Sequence, residues 1–439
     1  MNTKLQRNNP AVVKAWCMYD WANSVYSLVI TSAIFPVYYK AVAITREGSD
    51  TVPFLGFMMK NSVLYSYALS FSFLVVAALL PLLSGVSDYT GRKKLFMQVF
   101  VVMGSLSCIG LYFFEGIETL YWGIFCSVMA SIGYSGSLVF YDAFLPEIVT
   151  KDRLDEVSAR GYAMGYYGSV ILMIACLVLI LNPPWFGFAT EGEATRFSFL
   201  LVGLWWIGFA WMAFRKLPEK PSGKPQRQVW RNGYEELMKV WNELKFNPDL
   251  KKYLIAFFFF NMGVQTVMYL ATLFGTDVLL LPAQNLIATI LLIQLVAAAG
   301  ARYFARLSRR KGNSFTLTLM LTGWIVVCFS AYAIQAPWQF YLLAVMVGTI
   351  MGGIQSLSRA TYAKLLPADT ADHASYFSFY DVTYNLSIVM GTFSYGLVHQ
   401  LTGSMRNSAL ALALYFLAGL YFLHRVRAAS IRSTGPAGT

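Results

Sequence analysis

Twelve apolar segments, most of them about 20 residues or longer, alternate with polar turns along this chain of 439 residues. A helix of about 20 apolar residues spans the roughly 30 Å hydrocarbon layer of a bilayer. Charged residues make up only 13% of the chain, about half of the share in soluble domains. The sequence therefore predicts an all-α membrane protein with twelve transmembrane helices, near 15–39, 61–83, 95–114, 119–141, 161–181, 197–215, 252–274, 283–305, 314–334, 338–359, 375–398 and 407–425.

The Lys and Arg residues fall mainly on one side of the predicted spans. Of the 34 such residues, 29 lie on the side of the two termini, and the other side has only Lys40, Arg46, Lys60, Arg196 and Arg406. Because basic residues are retained in cytoplasmic loops, both termini are predicted to be cytoplasmic. The net charge of +12 then reflects membrane orientation, and the pattern does not predict nucleic-acid binding.

A long charged stretch separates the spans into two groups of six. The predicted regions are a six-helix bundle at 1–216, a cytoplasmic linker with a short amphipathic helix at 217–250, a second six-helix bundle at 251–426 and a basic, disordered tail at 427–439. An internal repeat is also predicted, because YDAFLP at 141–146 matches YAKLLP at 362–367, which lies 221 residues later. Two pseudo-symmetric halves around a central site are typical of secondary transporters.

Polar residues interrupt the first apolar segment. They share one helical face and are Asp20, Asn23, Ser24, Ser27 and Thr31. An exposed Asp at the centre of a membrane helix costs about 2.5–3.5 kcal/mol on insertion scales, so we expect this face to contact protein or a water-filled cavity. Asn23 is interpreted as a solute contact, and the hydroxyl groups as interhelical hydrogen-bonding partners. Asp20 is a candidate either for a gate or for a proton or substrate site.

Other predicted spans carry amide and phenol side chains at helical spacing. Together with Asn23, the candidate solute-binding residues are Tyr26, Asn261, Gln265, Gln355 and Tyr384. Amide groups can orient a small zwitterionic or neutral polar solute through hydrogen bonds, and aromatic rings can cover its apolar part. For any single tyrosine, packing between helices is the alternative interpretation.

The turn after the second span has the sequence GVSDYTGRKK at 85–94. Gly91 permits a tight turn, and Arg92 is expected to pair with Asp88 and to bind carbonyl groups at a helix end. A basic anchor beside an ordinary turn is the alternative. The pattern resembles a loop signature of the major facilitator superfamily, which implies that Gly85, Asp88, Gly91 and Arg92 latch the two halves in the outward-facing state. The counterpart GARYFARLSRRKGN at 300–313 has no acidic residue, so a symmetric second latch is not predicted.

Four charged residues lie at the predicted cytoplasmic ends of other spans: Asp142, Arg160, Arg359 and Asp381. Arg160 and Asp381 are 221 residues apart and carry opposite charges, as positions related by the internal repeat. We expect ion pairs among these four gating residues to close the cytoplasmic side. Solvated charges at the membrane interface are the alternative.

Five segments together are similar to one branch of the superfamily. They are WCMYDWANSVYSLVITSAIFPVYY at 16–39, FYDAFLPEI at 140–148, VSARGYAMGYYGS at 157–169, GVQTVMYLATLFG at 263–275 and GGIQSLSRATYAKLLP at 352–367. They resemble the unknown-major-facilitator (UMF) family, which is related to the fungal vacuolar amino-acid effluxers named for autophagy. The resemblance implies a major facilitator fold, alternating access and amino-acid efflux. The family commonly has an acidic residue before a glycine in the seventh span, where this chain has Met262, so Asp20 is the remaining candidate for proton coupling.

The expected partners are a small-molecule solute, the lipid bilayer and protons as the candidate coupling ion. We expect a protein of the bacterial cytoplasmic membrane that functions as a monomer without a cofactor. No metal cluster, nucleophile–base pair or phosphate-binding loop is evident in the sequence, so neither an enzyme nor an ATP-driven pump is predicted. The alternatives are transport of another solute class (a sugar, nucleoside, peptide fragment or amphiphile) and a transport-dead sensor of the same fold.

Overall fold

The computed structural model describes residues 7–45, 47–219, 221–222, 228–367 and 370–427. The first span comprises α1 (Pro10–Val25), a π-helical segment (Tyr26–Ala33) and α2 (Ile34–Val42). The next five are α3 (Asn61–Thr90), α4 (Lys93–Gly110), α5 (Leu120–Ile148), α6 (Leu154–Leu181) and α7 (Glu191–Phe214). A short helix α8 (Val229–Phe246) precedes α9 (Pro248–Leu279), α10 (Ala283–Lys311), α11 (Asn313–Ala333), α12 (Pro337–Leu365), α13 (His373–Thr402) and α14 (Met405–His424).

All twelve predicted spans are confirmed as helices. The main difference is length, because several helices continue past the apolar run into polar sequence. For example, α5 ends at Ile148, whereas its apolar segment was predicted to end at 141. The amphipathic linker helix is present as α8. Of the predicted tail, residues 428–439 lie outside the described residues.

Ten helical stretches of the described residues are long and apolar enough to cross a membrane. α13 is not among the ten, and it carries several polar side chains that are buried, including Asp381 and Asn385. Polar groups in a membrane domain are expected to face protein or a cavity. The part of α13 before Leu386 is accordingly mostly buried against other helices, whereas the part after it exposes apolar residues such as Phe393 and Leu401.

The first helix of each half begins in the same way. The Asn9 side chain accepts a hydrogen bond from the Ala11 amide at 3.0 Å, and the Asn247 side chain accepts one from the Leu250 amide at 3.1 Å. In both helices proline follows the asparagine. Asparagine satisfies an unpaired amide at a helix N-terminus, and proline there loses no hydrogen bond.

Small residues allow neighbouring helices to pack closely. On α6, a Cβ atom added to Gly168 would lie 2.6 Å from the Trp21 carbonyl oxygen of α1. On α12, a Cβ added to Gly348 would lie 2.7 Å from the Ile293 carbonyl oxygen of α10. Membrane helices associate through such close backbone contacts because burial of apolar side chains provides little driving force between helices in lipid.

Helices from the two halves meet in two groups. α6 packs against α10 and α12, and α13 packs against α3 and α5. The hydrogen bonds and ion pairs between the two halves lie at one end of these helices. The α3–α4 turn, the α10–α11 turn and α8 lie at the same end, which we call the α8 side of the protein. The limits of the two bundles, 1–216 and 251–426, stay predictions.

A short β-hairpin on the other side was not predicted from the sequence. β1 (Thr51–Phe54) pairs antiparallel with β2 (Phe57–Lys60), with Phe54 opposite Phe57. The two turn residues, Leu55 and Gly56, both have positive φ, at 49° and 84°, as the tightest hairpin turns require. The Phe54 ring stacks on Tyr121 with ring centroids 4.7 Å apart, which fixes the hairpin to the start of α5.

Candidate functional site

Arg359 of α12 lies at the centre of a buried ionic network between the two halves. Its guanidinium donates to Asp142 of α5 at 2.8 Å and lies 3.4 Å from the Asp20 carboxylate of α1. It also donates to the hydroxyl and the carbonyl oxygen of Ser158 on α6, at 3.0 and 3.1 Å. The Arg359 side chain is only 2% exposed. We call these four residues the arginine network.

Aromatic rings enclose the guanidinium. Its central carbon lies 4.7 Å from the Trp16 ring centroid, 5.4 Å from that of Tyr141 and 4.3 Å from that of Tyr162. The Tyr141 hydroxyl donates to Asp20 at 2.6 Å, so the aromatic enclosure also holds one of the carboxylates. A cation over an aromatic face is stabilised most when it is desolvated, as it is here.

Two of the four predicted gating charges are brought together, because Arg359 pairs with Asp142. The other two, Arg160 and Asp381, do not pair with each other. Arg160 is exposed, whereas the buried Asp381 carboxylate accepts a hydrogen bond from Asn385 at 2.8 Å, one turn further along α13. The structure instead adds Asp20 to the network, which the sequence identified as either a gate or a proton or substrate site.

Asp88 holds the N-terminus of α13, a helix of the other half. Its two carboxylate oxygens accept hydrogen bonds from the Ala374 and Ser375 amides, at 3.2 and 2.7 Å. Lys93 lies 4.0 Å from Asp88 and forms an ion pair with Glu147 of α5. We call this contact of Asp88 with α13 the turn latch. A carboxylate at a helix N-terminus satisfies free amides and interacts favourably with the helix dipole.

The predicted pairing of Arg92 with Asp88 is contradicted, and the latch role of Arg92 stays a prediction. Arg92 is exposed, and the neighbouring Lys93 is the basic residue that points towards Asp88. Gly91 does adopt the expected left-handed conformation, with φ of 70°. Gly85 packs against α8, where an added Cβ atom would collide with the Gly233 carbonyl oxygen.

A second latch, which the sequence analysis did not predict, joins α6 to the α10–α11 turn. Asp155 of α6 binds the Lys364 ammonium at 2.6 Å, the Ser308 hydroxyl at 2.8 Å and the Asn313 amide at 2.9 Å. The Lys364 and Asp155 side chains are only 1% and 5% exposed. We call these four residues the lysine latch. The acidic residue comes from α6 and not from the turn, which is why the turn sequence alone gave no sign of it.

The internal repeat was the signal that could have revealed the lysine latch. Gly312 lies 221 residues after Gly91, and like Gly91 it has positive φ, at 88°. Asn313 correspondingly matches Arg92 in the repeat. The first turn of α6 contains Asp155 and faces this second turn, as the first turn of α13 faces Asp88.

The candidate solute-binding residues lie in separate places. Gln355 lies between the halves, where its amide oxygen accepts a hydrogen bond from the Tyr166 hydroxyl of α6 at 2.6 Å. Asn261 and Gln265 of α9 form a chain, in which Gln265 donates to Asn261 at 3.2 Å and Asn261 donates to Ser387 of α13 at 2.6 Å.

Asn23 and Tyr26 are instead enclosed within the first bundle. Asn23 is 1% exposed, and the Tyr26 ring packs on Tyr134 and Trp206 with centroid distances of 4.9 and 5.7 Å. Tyr384 is half-buried on α13. The six predicted residues therefore do not form one cluster in this conformation.

The family model described as "Vacuole effluxer Atg22 like" matches residues 8–434. The chain belongs to this family. It is 31% identical over 412 residues to the uncharacterized MFS-type transporter YxiO of Bacillus subtilis, covering 93% of each chain. It is 22% identical over 447 residues to autophagy-related protein 22 of Yarrowia lipolytica, covering 81% of this chain and 74% of that protein.

Solved structures show the same fold at low identity. The MFS proton:xylose symporter XylE, bound to 6-bromo-6-deoxy-D-glucose, superposes with a TM-score of 0.73 and 11% identity, covering 96% of this chain and 97% of XylE. The predicted family and the major facilitator fold are thereby confirmed. This member of the Atg22-like family is a multi-pass membrane protein and an MFS-type transporter.

Proposed function

We propose that this protein exports amino acids from the cytoplasm by alternating access, with its α8 side facing the cytoplasm. The membership in the Atg22-like effluxer family supports this proposal, and the basic residues concentrated on the α8 side support the orientation. The bacterial relative supports a location in a bacterial cytoplasmic membrane. The protein is proposed to act there as a monomer.

The observation that carries the mechanism is the arginine network. Arg359 belongs to the second half, whereas Asp20, Asp142 and Ser158 belong to the first. The α8 side can open only if Arg359 leaves these partners, because they lie on helices of the opposite bundle. Removing one partner of a buried ion pair costs about 3–5 kcal/mol, so opening requires that another interaction replaces the pair.

Proton binding at Asp20 is proposed to make this separation easier. Two carboxylates, Asp20 and Asp142, share the single guanidinium of Arg359. A proton on Asp20 leaves a neutral Arg359–Asp142 pair and weakens one of the contacts between the halves. Asp20 is therefore proposed as the coupling residue, in place of the acidic residue that Met262 replaces in the seventh span.

Amide groups at the contact between the halves can form hydrogen bonds with the ammonium and carboxylate groups of a zwitterionic solute. Gln355 and Tyr384 are partly accessible, and both are proposed to contact the solute directly. Asn261 and Gln265 are each only 4% exposed, and Ser387 links Asn261 to the turn of α13 that carries Tyr384. This buried pair is proposed to exchange its hydrogen bonds when the solute binds. Asn23 and Tyr26, which are enclosed, are proposed to support the wall of the path.

Counterflow in proteoliposomes tests the proposal. Vesicles preloaded with unlabelled amino acids should accumulate labelled ones, and Gln355→Ala should abolish the uptake because the solute loses an orienting hydrogen bond. Gln335→Ala, in an exposed turn before α12, is the matched control and should transport normally. Absence of amino-acid uptake by the unmodified protein would refute amino-acid efflux.

A second candidate is transport of an apolar or amphipathic solute. An apolar cavity inside the second bundle favours it, since almost all of its lining atoms are apolar. Lining residues include Val267, Phe274, Ile293, Val327, Phe340 and Leu412. Counterflow of a labelled amphiphile that competes with none of the amino acids would support this candidate over the first.

A further inference from the structure

Helix α8 is attached to the first half through close backbone packing. A Cβ atom added to Gly233 would lie 2.7 Å from the Val86 amide nitrogen of α3 and 2.8 Å from its α-carbon. Val240 and Leu244 are also buried. Only glycine permits this approach of two helix backbones, so the inner face of α8 is fixed on α3.

The same helix is attached to the second half through α13. Lys239 binds Asp372 at 2.6 Å, and Glu243 accepts a hydrogen bond from the Tyr376 hydroxyl at 2.6 Å. The Asp372 carboxylate raises the pKa of Lys239 above its ordinary value, chiefly through this hydrogen bond. Two of the polar side chains of α8 are therefore engaged in contacts with the protein.

The positions of these contacts set the depth of α8 in the membrane. Gly233 crosses α3 at Gly85, five residues before the helix ends at Thr90, which is about 8 Å at 1.5 Å per residue. α3 has 30 residues, about 45 Å, and so extends past the roughly 30 Å hydrocarbon layer. With α3 centred in the bilayer, about 8 Å of the helix extends past the hydrocarbon on each side, which puts the crossing at the level of the lipid headgroups.

Three aromatic side chains lie along one face of α8, and the last of them, Trp241, also packs on Phe379 of α13 with ring centroids 5.5 Å apart. Trp230, Tyr234 and Trp241 are spaced by four and seven residues, which places them on one helical face. They are 61%, 53% and 40% exposed. We call them the aromatic stripe. Trp and Tyr are enriched where proteins meet the headgroup layer, because their rings are amphipathic.

Basic side chains accompany the aromatic stripe. Lys245 lies 5.2 Å from the Trp241 ring centroid, and the exposed Arg231, one residue after Trp230, pairs with the exposed Glu235 at 3.0 Å. Glu243 points inward to Tyr376, and Glu236 lies 3.8 Å from Lys239. Aromatic rings with basic groups beside them match a phospholipid headgroup layer, in which phosphates lie next to the acyl chains.

We propose that the aromatic stripe of α8 is a membrane-docking surface that inserts into the phospholipid headgroups of the cytoplasmic leaflet. The bilayer then holds α8 from outside while α3 and α13 hold it from inside. The linker between the two halves acts as a membrane-anchored brace across the cytoplasmic ends of both bundles, and it is not a free tether.

Site-directed spin labels can test this depth, because the five native cysteines are all buried. Single cysteines are introduced at Trp230 and Tyr234 in the stripe, and at Glu235 and Asn242 on the exposed polar face as matched controls. Each labelled full-length protein is reconstituted into vesicles of phosphatidylethanolamine and phosphatidylglycerol. Collision rates with oxygen, which partitions into lipid, are compared with those of a water-soluble nickel chelate.

Labels at 230 and 234 should collide severalfold more with oxygen, relative to nickel, than labels at 235 and 242. Equal, nickel-dominated collisions at all four positions would show a water-exposed stripe and overturn the proposal. Protection of the stripe labels from both reagents would show that protein covers it, which also overturns the proposal. Thermal unfolding of each variant, which should match the unmodified protein, excludes misfolding as the cause.

Discussion

The turn latch and the lysine latch occupy corresponding places in the two halves, but they satisfy their carboxylates in different ways. Asp88 binds two backbone amides of α13, whereas Asp155 binds the side chains of Lys364, Ser308 and Asn313. The internal repeat therefore preserves the places where the two halves meet, whereas the chemistry of the contacts differs. Either solution works because a buried carboxylate needs several donors, whatever their origin.

The largest effect is expected at the lysine latch. Asp155→Asn leaves the buried Lys364 ammonium without its counter-ion, so the free energy of unfolding should fall by about 3–5 kcal/mol. Thermal and denaturant unfolding in detergent would measure this. Asp152→Asn, at an exposed site three residues earlier, is the control and should change stability by less than about 0.5 kcal/mol. A similar small loss for both variants would mean that Lys364 is not dependent on Asp155.

The next largest loss of stability is expected for alanine at the two turn glycines, and it should differ between them. Gly312 has φ of 88° and ψ of 158°, a region that only glycine occupies readily, so Gly312→Ala should cost about 1–3 kcal/mol. Gly91 has φ of 70° and ψ of 16°, where an L-residue costs about 1–2 kcal/mol. Unfolding of the two alanine variants, measured in parallel, should rank Gly312→Ala as the more destabilised. The reverse order would contradict the backbone difference between the turns.

A smaller loss is expected for Asp88→Asn. Asparagine can still accept a hydrogen bond from an α13 amide, and asparagine and aspartate are similar helix caps. Lys93 also keeps Glu147 as its partner. The cost should be about 1 kcal/mol, clearly below that of Asp155→Asn, in the same unfolding assay. A loss as large as that of Asp155→Asn would show that the two latches are energetically alike.

The smallest effect is expected for Arg92→Ala. Arg92 is exposed, so its removal should change the free energy of unfolding by less than about 0.5 kcal/mol. Lys93→Ala should lower the free energy of unfolding by more, since Glu147 then loses its ion pair with Lys93 and keeps His373 as a partner. A larger loss of stability for Arg92→Ala than for Lys93→Ala would show that the assignment of Lys93 as the inward residue is wrong.

The sequence predicted the helices and the meeting places of the two halves better than the individual pairs. Long apolar runs define spans directly, and a polar stripe on the first span correctly indicated that Asp20 faces protein. Arg92 and Lys93 are adjacent basic residues after a glycine, and no pattern reveals which of them turns inward. No sequence pattern predicts the pairing of Asp155 with Lys364, because the burial of both residues depends on helices that are distant in sequence.

Two local features were also beyond the sequence pattern. The hairpin at 51–60 has a Leu–Gly turn, without the Asn–Gly or Asp–Gly pair that most strongly predicts such turns. The π-helical segment Tyr26–Ala33 mixes polar residues (Ser27, Thr31 and Ser32) with apolar ones, and such a mixture is equally compatible with an ordinary α-helix. Neither backbone conformation has a distinctive residue pattern in this sequence.

The π-helical segment divides the first span into two mechanical parts. Its wider turns interrupt the regular hydrogen bonds between α1, which carries Asp20, and α2, which reaches the opposite side. α1 is held by Arg359 through Asp20, whereas α2 follows the interruption. Under the proposed alternating access, a bend at this segment would let the outer end of the span move while its cytoplasmic end stays fixed.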